Sequence, residues 1–184
     1  MQSINEEIKN KICEFHIDIC DPETFVVGRL VDHDEKYFLI EEVSPYGRWN
    51  GLSLYMKSDV VGVECNSDYL NKMICLLEFS NQQNIRIDVT QKNDSLLHSF
   101  ISFAKNNEHM IGMELHKSGE RDAIGYVQET IGGIVCIDQI DEFAKNDGRL
   151  YVSTEAITRC FLCDEYLIGV ERLRNLLENR KFNS

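Results

Sequence analysis

Apolar and polar positions alternate with a period of two over short stretches, and these stretches are bracketed by longer runs of helical period. His16-Ile17-Asp18-Ile19-Cys20 and Gly112-Met113-Glu114-Leu115-His116 both alternate as half-buried strands do. The pattern predicts strands over 14–20, 25–32, 36–43, 51–57 and 60–65, and again over 110–116, 122–129, 133–140, 148–154 and 157–162. Helical spacing precedes each set. Ile4, Ile8 and Ile12 recur every fourth residue behind a Ser3/Glu6 capping box, and Leu96-Leu97, Phe100-Ile101 and Phe103-Ala104 follow Asp94 or Ser95. A helix also follows each set. Ser67 caps a run carrying Leu70, Met73, Ile74 and Leu77, and Asp164 caps one carrying Leu167, Val170, Leu173 and Leu177. Gly169 inside the second run costs about 1 kcal/mol relative to alanine.

The two sets superpose when the chain is shifted by 97 residues. Gly28 falls on Gly125, Ile40 on Ile137, Gly51 on Gly148, and Tyr69-Leu70 on Tyr166-Leu167, with apolar positions coinciding between them. Asn50-Gly51 and Asp147-Gly148 share the chemistry of a tight turn. Short connections favour antiparallel neighbours. The expected fold is therefore mainly β with flanking helices (α+β), in two tandem copies of a helix–five-stranded antiparallel small barrel–helix unit. The units are read as 1–78 and 94–184, joined by 79–93, where Ile85-Arg86-Ile87-Asp88-Val89 alternates as an extra edge strand would.

Val27-Gly28-Arg29-Leu30-Val31-Asp32 turning at Asp34-Glu35 into Tyr37-Phe38-Leu39-Ile40, then Gly51-x-x-Leu54 and Asp59-Val60-x-x-Val63, resembles the Sm-like small β-barrel family over residues 3–65 and more loosely over 94–162. The resemblance implies ring assembly through edge strands and, in many members, RNA bound in the pore. The family's RNA contacts need an Asp-x-aromatic-x-Asn loop and an Arg-Gly or Lys-Gly pair before the fifth strand. Here those places read Asp34-Glu35-Lys36-Tyr37-Phe38-Leu39 and Lys57-Ser58-Asp59 in the first copy. In the second they read Thr130-Ile131-Gly132-Gly133-Ile134 and Thr154-Glu155-Ala156. The resemblance thus supports a fold and not RNA binding.

Charge sharpens this reading. The net charge is −12, distributed as −8 over 1–78, +1 over 79–93 and −5 over 94–184. Nucleic-acid affinity is largely phosphate neutralisation, so an RNA reading requires a face built from some of Lys36, Arg48, Lys57, Lys145, Arg149 and Arg159. No apolar run approaches the roughly 20 residues that span a bilayer, and the N-terminus lacks a signal peptide's basic flank. Seven cysteines, an odd number, fit reduced thiols in the cytoplasm.

Catalytic motifs are missing: there is no GxSxG, P-loop or Rossmann glycine pattern. His16, His33, His98, His109 and His116 form no compact ligand motif. Cys160-Phe161-Leu162-Cys163 has CxxC spacing at a helix start, but its counterparts Val63 and Asn66 carry no thiol, so Cys160 reads as a small core residue. Cys13, Cys20, Cys65, Cys75 and Cys136 read as packing. No cofactor, metal or catalytic residue is assigned.

The candidate interaction surface is the hairpin holding Tyr46, Arg48 and Trp49, with Phe143 and Lys145 at the corresponding places of the second copy. These residue types concentrate at protein–protein hot spots. Tyr46 and Phe143 are expected to tuck beneath their hairpins, leaving Trp49 for contact. The function expected is a non-catalytic binding or scaffold protein acting through protein contacts, with a protein partner or self-association through free strand edges. The alternative is a divergent Sm-like RNA-binding protein, and behind it a small-ligand sensor or an enzyme.

Overall fold

Alternating β-branched and aromatic residues build ten strands. The computed structural model describes residues 7–18, 21, 23–80, 82, 89 and 95–181. The first unit, up to Leu97, holds β1 (Ile12–His16), β2 (Phe25–His33), β3 (Tyr37–Ser44), β4 (Arg48–Met56), β5 (Gly62–Glu64) and α1 (Asp68–Phe79). The second, from His98, holds β6 (Ile111–Leu115), β7 (Ala123–Ile131), β8 (Ile134–Ile140), β9 (Asn146–Ser153), β10 (Ile157–Leu162) and α3 (Glu165–Lys181). Between them α2 (Leu96–Asn106) carries the division near its start.

Within the first unit the strands lie in the order β5-β1-β2-β3-β4, and within the second in the order β10-β6-β7-β8-β9, all antiparallel. This overturns the two closed small barrels expected from sequence, and the duplicated Sm-like barrel with them. The ten strands are arranged as open antiparallel sheet: β4 does not pair with β5, nor β9 with β10. Closing a barrel needs a full ladder across the seam and a consistent stagger of its strands. β5 offers only three residues, already paired to β1 through Glu14↔Glu64, Phe15↔Val63 and His16↔Gly62. The first helix is also corrected in part: Ile12 opens β1, while Ser3, Ile4 and Glu6 lie outside the described residues. The strand expected at Ile85–Val89 lies outside them as well, apart from Val89, which is buried.

The two units share local devices 97 residues apart. Ladder shifts fall between Leu30 and Asp32 and between Val127 and Glu129, and again between Glu41 and Val43 and between Asp138 and Ile140. Each shift leaves one residue unpaired and sharpens the local twist. Gly28 and Gly125 face the second pair of shifts across the ladder. A Cβ on Gly28 would lie 2.5 Å from the Glu41 carbonyl oxygen, and one on Gly125 would lie 2.0 Å from that of Asp138. Only glycine allows this approach.

The helices begin where their caps dictate. Ser67 Oγ accepts from the Leu70 amide at 3.1 Å, and Asp164 Oδ1 accepts from the Leu167 amide at 2.8 Å. Both satisfy a donor that the first turn otherwise leaves open. α1 lays Leu70 and Met73 over Val27 and Val43 on one face of the first sheet. The opposite face gathers Cys13, Phe15, Leu30, Phe38, Ile40 and Tyr55. In the second unit α3 places Leu167 and Val170 against Met110, Ile140 and Ala144.

Two glycine substitutions separate backbone crowding from helix propensity. Gly125→Ala should destabilise the chain by about 3 kcal/mol, because its Cβ meets backbone that cannot yield. Gly169→Ala meets nothing within 4 Å and should stabilise by about 1 kcal/mol. Urea unfolding of both variants reads the opposite signs.

Candidate interaction surface

The two hairpin turns are built alike. After Tyr46, Gly47 takes a left-handed conformation with φ of 67°, and after Phe143, Ala144 does so with φ of 61°. The Gly47 amide donates to the Ser44 carbonyl at 2.9 Å, and the Ala144 amide donates to that of Asp141 at 2.9 Å. Asp141 Oδ1 also accepts from the Phe143 and Lys145 amides. A Cβ on Gly47 would lie 2.3 Å from the Leu76 Cβ of α1, so that turn is pressed onto its helix. Ala144 is buried in the cluster under α3. In each hairpin the residue after the aromatic points inward, and the aromatic itself turns outward.

Tyr46 is accordingly 76% exposed and Phe143 60% exposed, the reverse of the tucked positions expected. Arg48 is exposed, and Lys145 Nζ stands 5.9 Å from the centroid of the Phe143 ring. Trp49 is only half-exposed. Its ring packs against the cluster of Val27, Val43, Leu70 and Met73, with the Arg29 guanidinium 5.1 Å from the ring centroid. Its amide donates to Gln82 Oε1 at 2.9 Å. Trp49 is therefore held by its own unit, and the exposed aromatic of that hairpin is Tyr46.

A broader apolar surface lies at the edge of the second sheet. Among the described residues β9 pairs with β8 alone. Register places Ile131 opposite Ile134 and Cys136 opposite Tyr151, and these four share one face because directly paired residues do. Cys136 is buried there, while Ile131, Ile134 and Tyr151 are exposed. The related residue of the first unit, Leu54 in β4, is fully buried where Tyr151 is 61% exposed. Gly148, with φ of 86°, bends the start of β9, which leaves Arg149–Ser153 as the regular part of its outer edge. Sequence alternation located this strand but could not tell an edge from an interior position.

The second unit also contains a recess of about 880 Å³ whose lining includes Lys105, His109, Tyr126, Asp138, Arg149 and Arg174. Its two arginines are answered locally. Arg149 Nε donates to Asp138 at 2.7 Å, and Arg174 pairs with Glu178 at 3.3 Å and donates to Asn146 at 2.9 Å. Burial, and then the charge of Glu171, raises the Tyr126 phenol above its ordinary value. Elsewhere Arg159 pairs with Glu114 at 3.0 Å, and Arg121 pairs with Asp164 at 2.5 Å while lying over the Phe161 and Tyr166 rings. In the first unit Lys36 and Lys57 lie over the Tyr37 and Phe38 rings at 5.2 and 4.8 Å, and Arg29 pairs with Glu41. Five of the six cations on which an RNA face would depend have such an intramolecular contact, and Arg48 is exposed.

One group among the described residues has the composition of a metal site. Glu14 and His16 lie two apart on β1, and Glu64 of β5 is directly opposite Glu14; one ligand atom from each falls within 4.8 Å of the others. Glu14 also accepts a hydrogen bond from Ser67. The i, i+2 pair is visible in the sequence, whereas Glu64 is brought in only by strand pairing. Of the other histidines, His109 stacks on Phe103, and the His116 amide donates to the Ala156 carbonyl. Among the described residues no helix is long and apolar enough to cross a membrane.

Neither cysteine of the CxxC spacing has a lowered thiol pKa. Cys160 is fully buried in β10, and burial pushes its thiol well above the ordinary value. Cys163, half-buried after β10, is pushed up to about 11 by burial first and then by Glu171 and Asp164. A folded-state pKa raised in this way means that the native protein keeps protons the unfolded chain releases. The stability from these thiols is complete below the unfolded pKa of about 9 and falls as pH rises toward 11. Cys163→Ala should flatten the decline in urea midpoint over that interval, and an unchanged slope would show that Cys163 does not contribute to it.

Set against known families, curated proteins and solved structures, the chain matches no family model, no curated protein and no solved structure.

Proposed function

We propose that this protein is a non-catalytic binding or scaffold module that works through protein contacts, and that β9 is its docking strip for a strand from a second copy. The observation that carries the reading is β9 itself, an eight-residue strand with one neighbour among the described residues and with Tyr151, Ile134 and Ile131 exposed at that edge. An unpaired edge presents a row of backbone donors and acceptors to any approaching strand. Natural edges are commonly protected by proline or by inward-pointing charge, and Arg149-Leu150-Tyr151-Val152-Ser153 has no proline and a tyrosine at its centre.

A second copy is the favoured occupant because β5 likewise has a single neighbour among the described residues, so each chain offers a further strand edge of its own. A net charge of −12 disfavours nucleic acid, and Lys36, Lys57, Lys145, Arg149 and Arg159 each contact a ring or a carboxylate of their own unit. The free thiols of Cys13, Cys65, Cys75, Cys136, Cys160 and Cys163 are consistent with a cytoplasmic setting.

Light scattering across a concentration series tests the reading. The wild-type chain is expected to form a defined oligomer without co-purifying nucleic acid. Tyr151→Lys is expected to weaken association at least tenfold while leaving the urea midpoint nearly unchanged, since Tyr151 is exposed. A monomer at every concentration, or an oligomer indifferent to Tyr151→Lys, would contradict β9 pairing.

A further inference from the structure

We propose that Cys13 and Cys65 form a redox pair, a reversible disulfide site joining β1 to the segment that leaves β5. Their sulfurs lie 2.6 Å apart although the residues are 52 apart in the chain. A covalent sulfur–sulfur bond measures about 2.05 Å, so little movement separates the two thiols from bonding. Strand pairing produces this juxtaposition. Glu14 is opposite Glu64, and one step along both strands brings Cys13 opposite Cys65.

The second unit shows that the position does not require cysteine. Its corresponding pair is Ile111 opposite Leu162, both fully buried. An apolar pair fills the site there, whereas the first unit places two thiols in it.

The two cysteines differ in a way that assigns their roles. Cys13 is fully buried. Cys65 is partly exposed, so a peroxide reaches it first. Its sulfur takes one oxygen from hydrogen peroxide to form a sulfenic acid, releasing water. The Cys13 sulfur then attacks the Cys65 sulfur. The sulfur–oxygen bond breaks, and the departing hydroxide takes the Cys13 proton to leave as a second water. In sum two thiols and one peroxide give one disulfide and two waters, and a dithiol reductant restores the thiols.

The bond would fasten a weakly held part of the fold. β5 has three residues and one neighbour, and Ser67, the cap of α1, follows Cys65 by two positions. Cross-linking also restricts the unfolded chain. The oxidised protein should therefore resist urea better than the reduced one.

The test uses the full chain carrying Cys75→Ser, which removes an exposed thiol. The protein is treated with stoichiometric hydrogen peroxide, alkylated, and digested without reduction. The expected result is a Cys13–Cys65-linked peptide as the main cross-link, reversed by dithiothreitol, with a higher urea midpoint before reversal. Cys13→Ile with Cys65→Leu, which copies the apolar pair of the second unit, should lose both the cross-link and the midpoint shift. Peptide mapping of the chain with both thiols decides the matter even if that double variant fails to fold. Recovery of Cys13 as an alkylated thiol after oxidation, or a cross-link formed only in urea, would overturn the proposal.

Discussion

A β-strand satisfies its backbone on both sides only when it has two neighbours, and the whole architecture is organised around where that condition is met and where it fails. The first unit runs as β5-β1-β2-β3-β4 and the second as β10-β6-β7-β8-β9, with no closure of β4 onto β5 or of β9 onto β10. An open sheet keeps terminal strands. Among the described residues β9, eight residues long, has β8 as its single neighbour. The exposure of Tyr151 follows from the same fact, since a strand lacking a neighbour also lacks the side chains that neighbour would bring, while Ile131 and Ile134 are exposed beside it where β7 turns into β8.

Charge is handled locally. Arg29, Arg121, Arg149, Arg159 and Arg174 each pair with a carboxylate of their own unit. Exposed pairs such as Arg149–Asp138 add little stability, but they remove cationic surface. Three of the pairs sit at places that need them for another reason. Asp164 serves both Arg121 and the first turn of α3. Arg159 answers Glu114, which is almost wholly buried. Glu41, also buried, is answered by Arg29, whose guanidinium lies over Trp49. The polar groups of the two units thus do structural work, and Tyr151, Ile131 and Ile134 remain as exposed apolar groups at the β9 edge.

Much of the local structure was legible before folding. Period-two alternation located the ten strands to within a few residues, most plainly where one face of the strand is buried. Ser67 and Asp164 were legible as caps because their side chains can reach an orphan amide. What alternation does not encode is pairing. Closure into barrels failed because nothing in the periodicity of β4 or β5 states whether a ladder joins them. The hairpin aromatics were assigned the wrong way round for a similar reason. Tyr46 and Phe143 face outward because the next residue, Gly47 or Ala144, takes a left-handed conformation against a helix. The Cys13–Cys65 and Glu14–Glu64 juxtapositions were equally hidden, as each needs the β1–β5 register.

The central claim is that the outer edge of β9 is unpaired in the single chain and becomes paired when two chains meet. Hydrogen–deuterium exchange of the amides in Arg149–Ser153, followed from dilute to concentrated protein, addresses it directly. Strand pairing predicts that the outward-facing amides of this segment exchange rapidly in dilute solution and gain protection as the protein associates, while the inward-facing ones, bonded to β8, stay protected throughout. Association that protects some other surface and leaves these outward amides fast would contradict it.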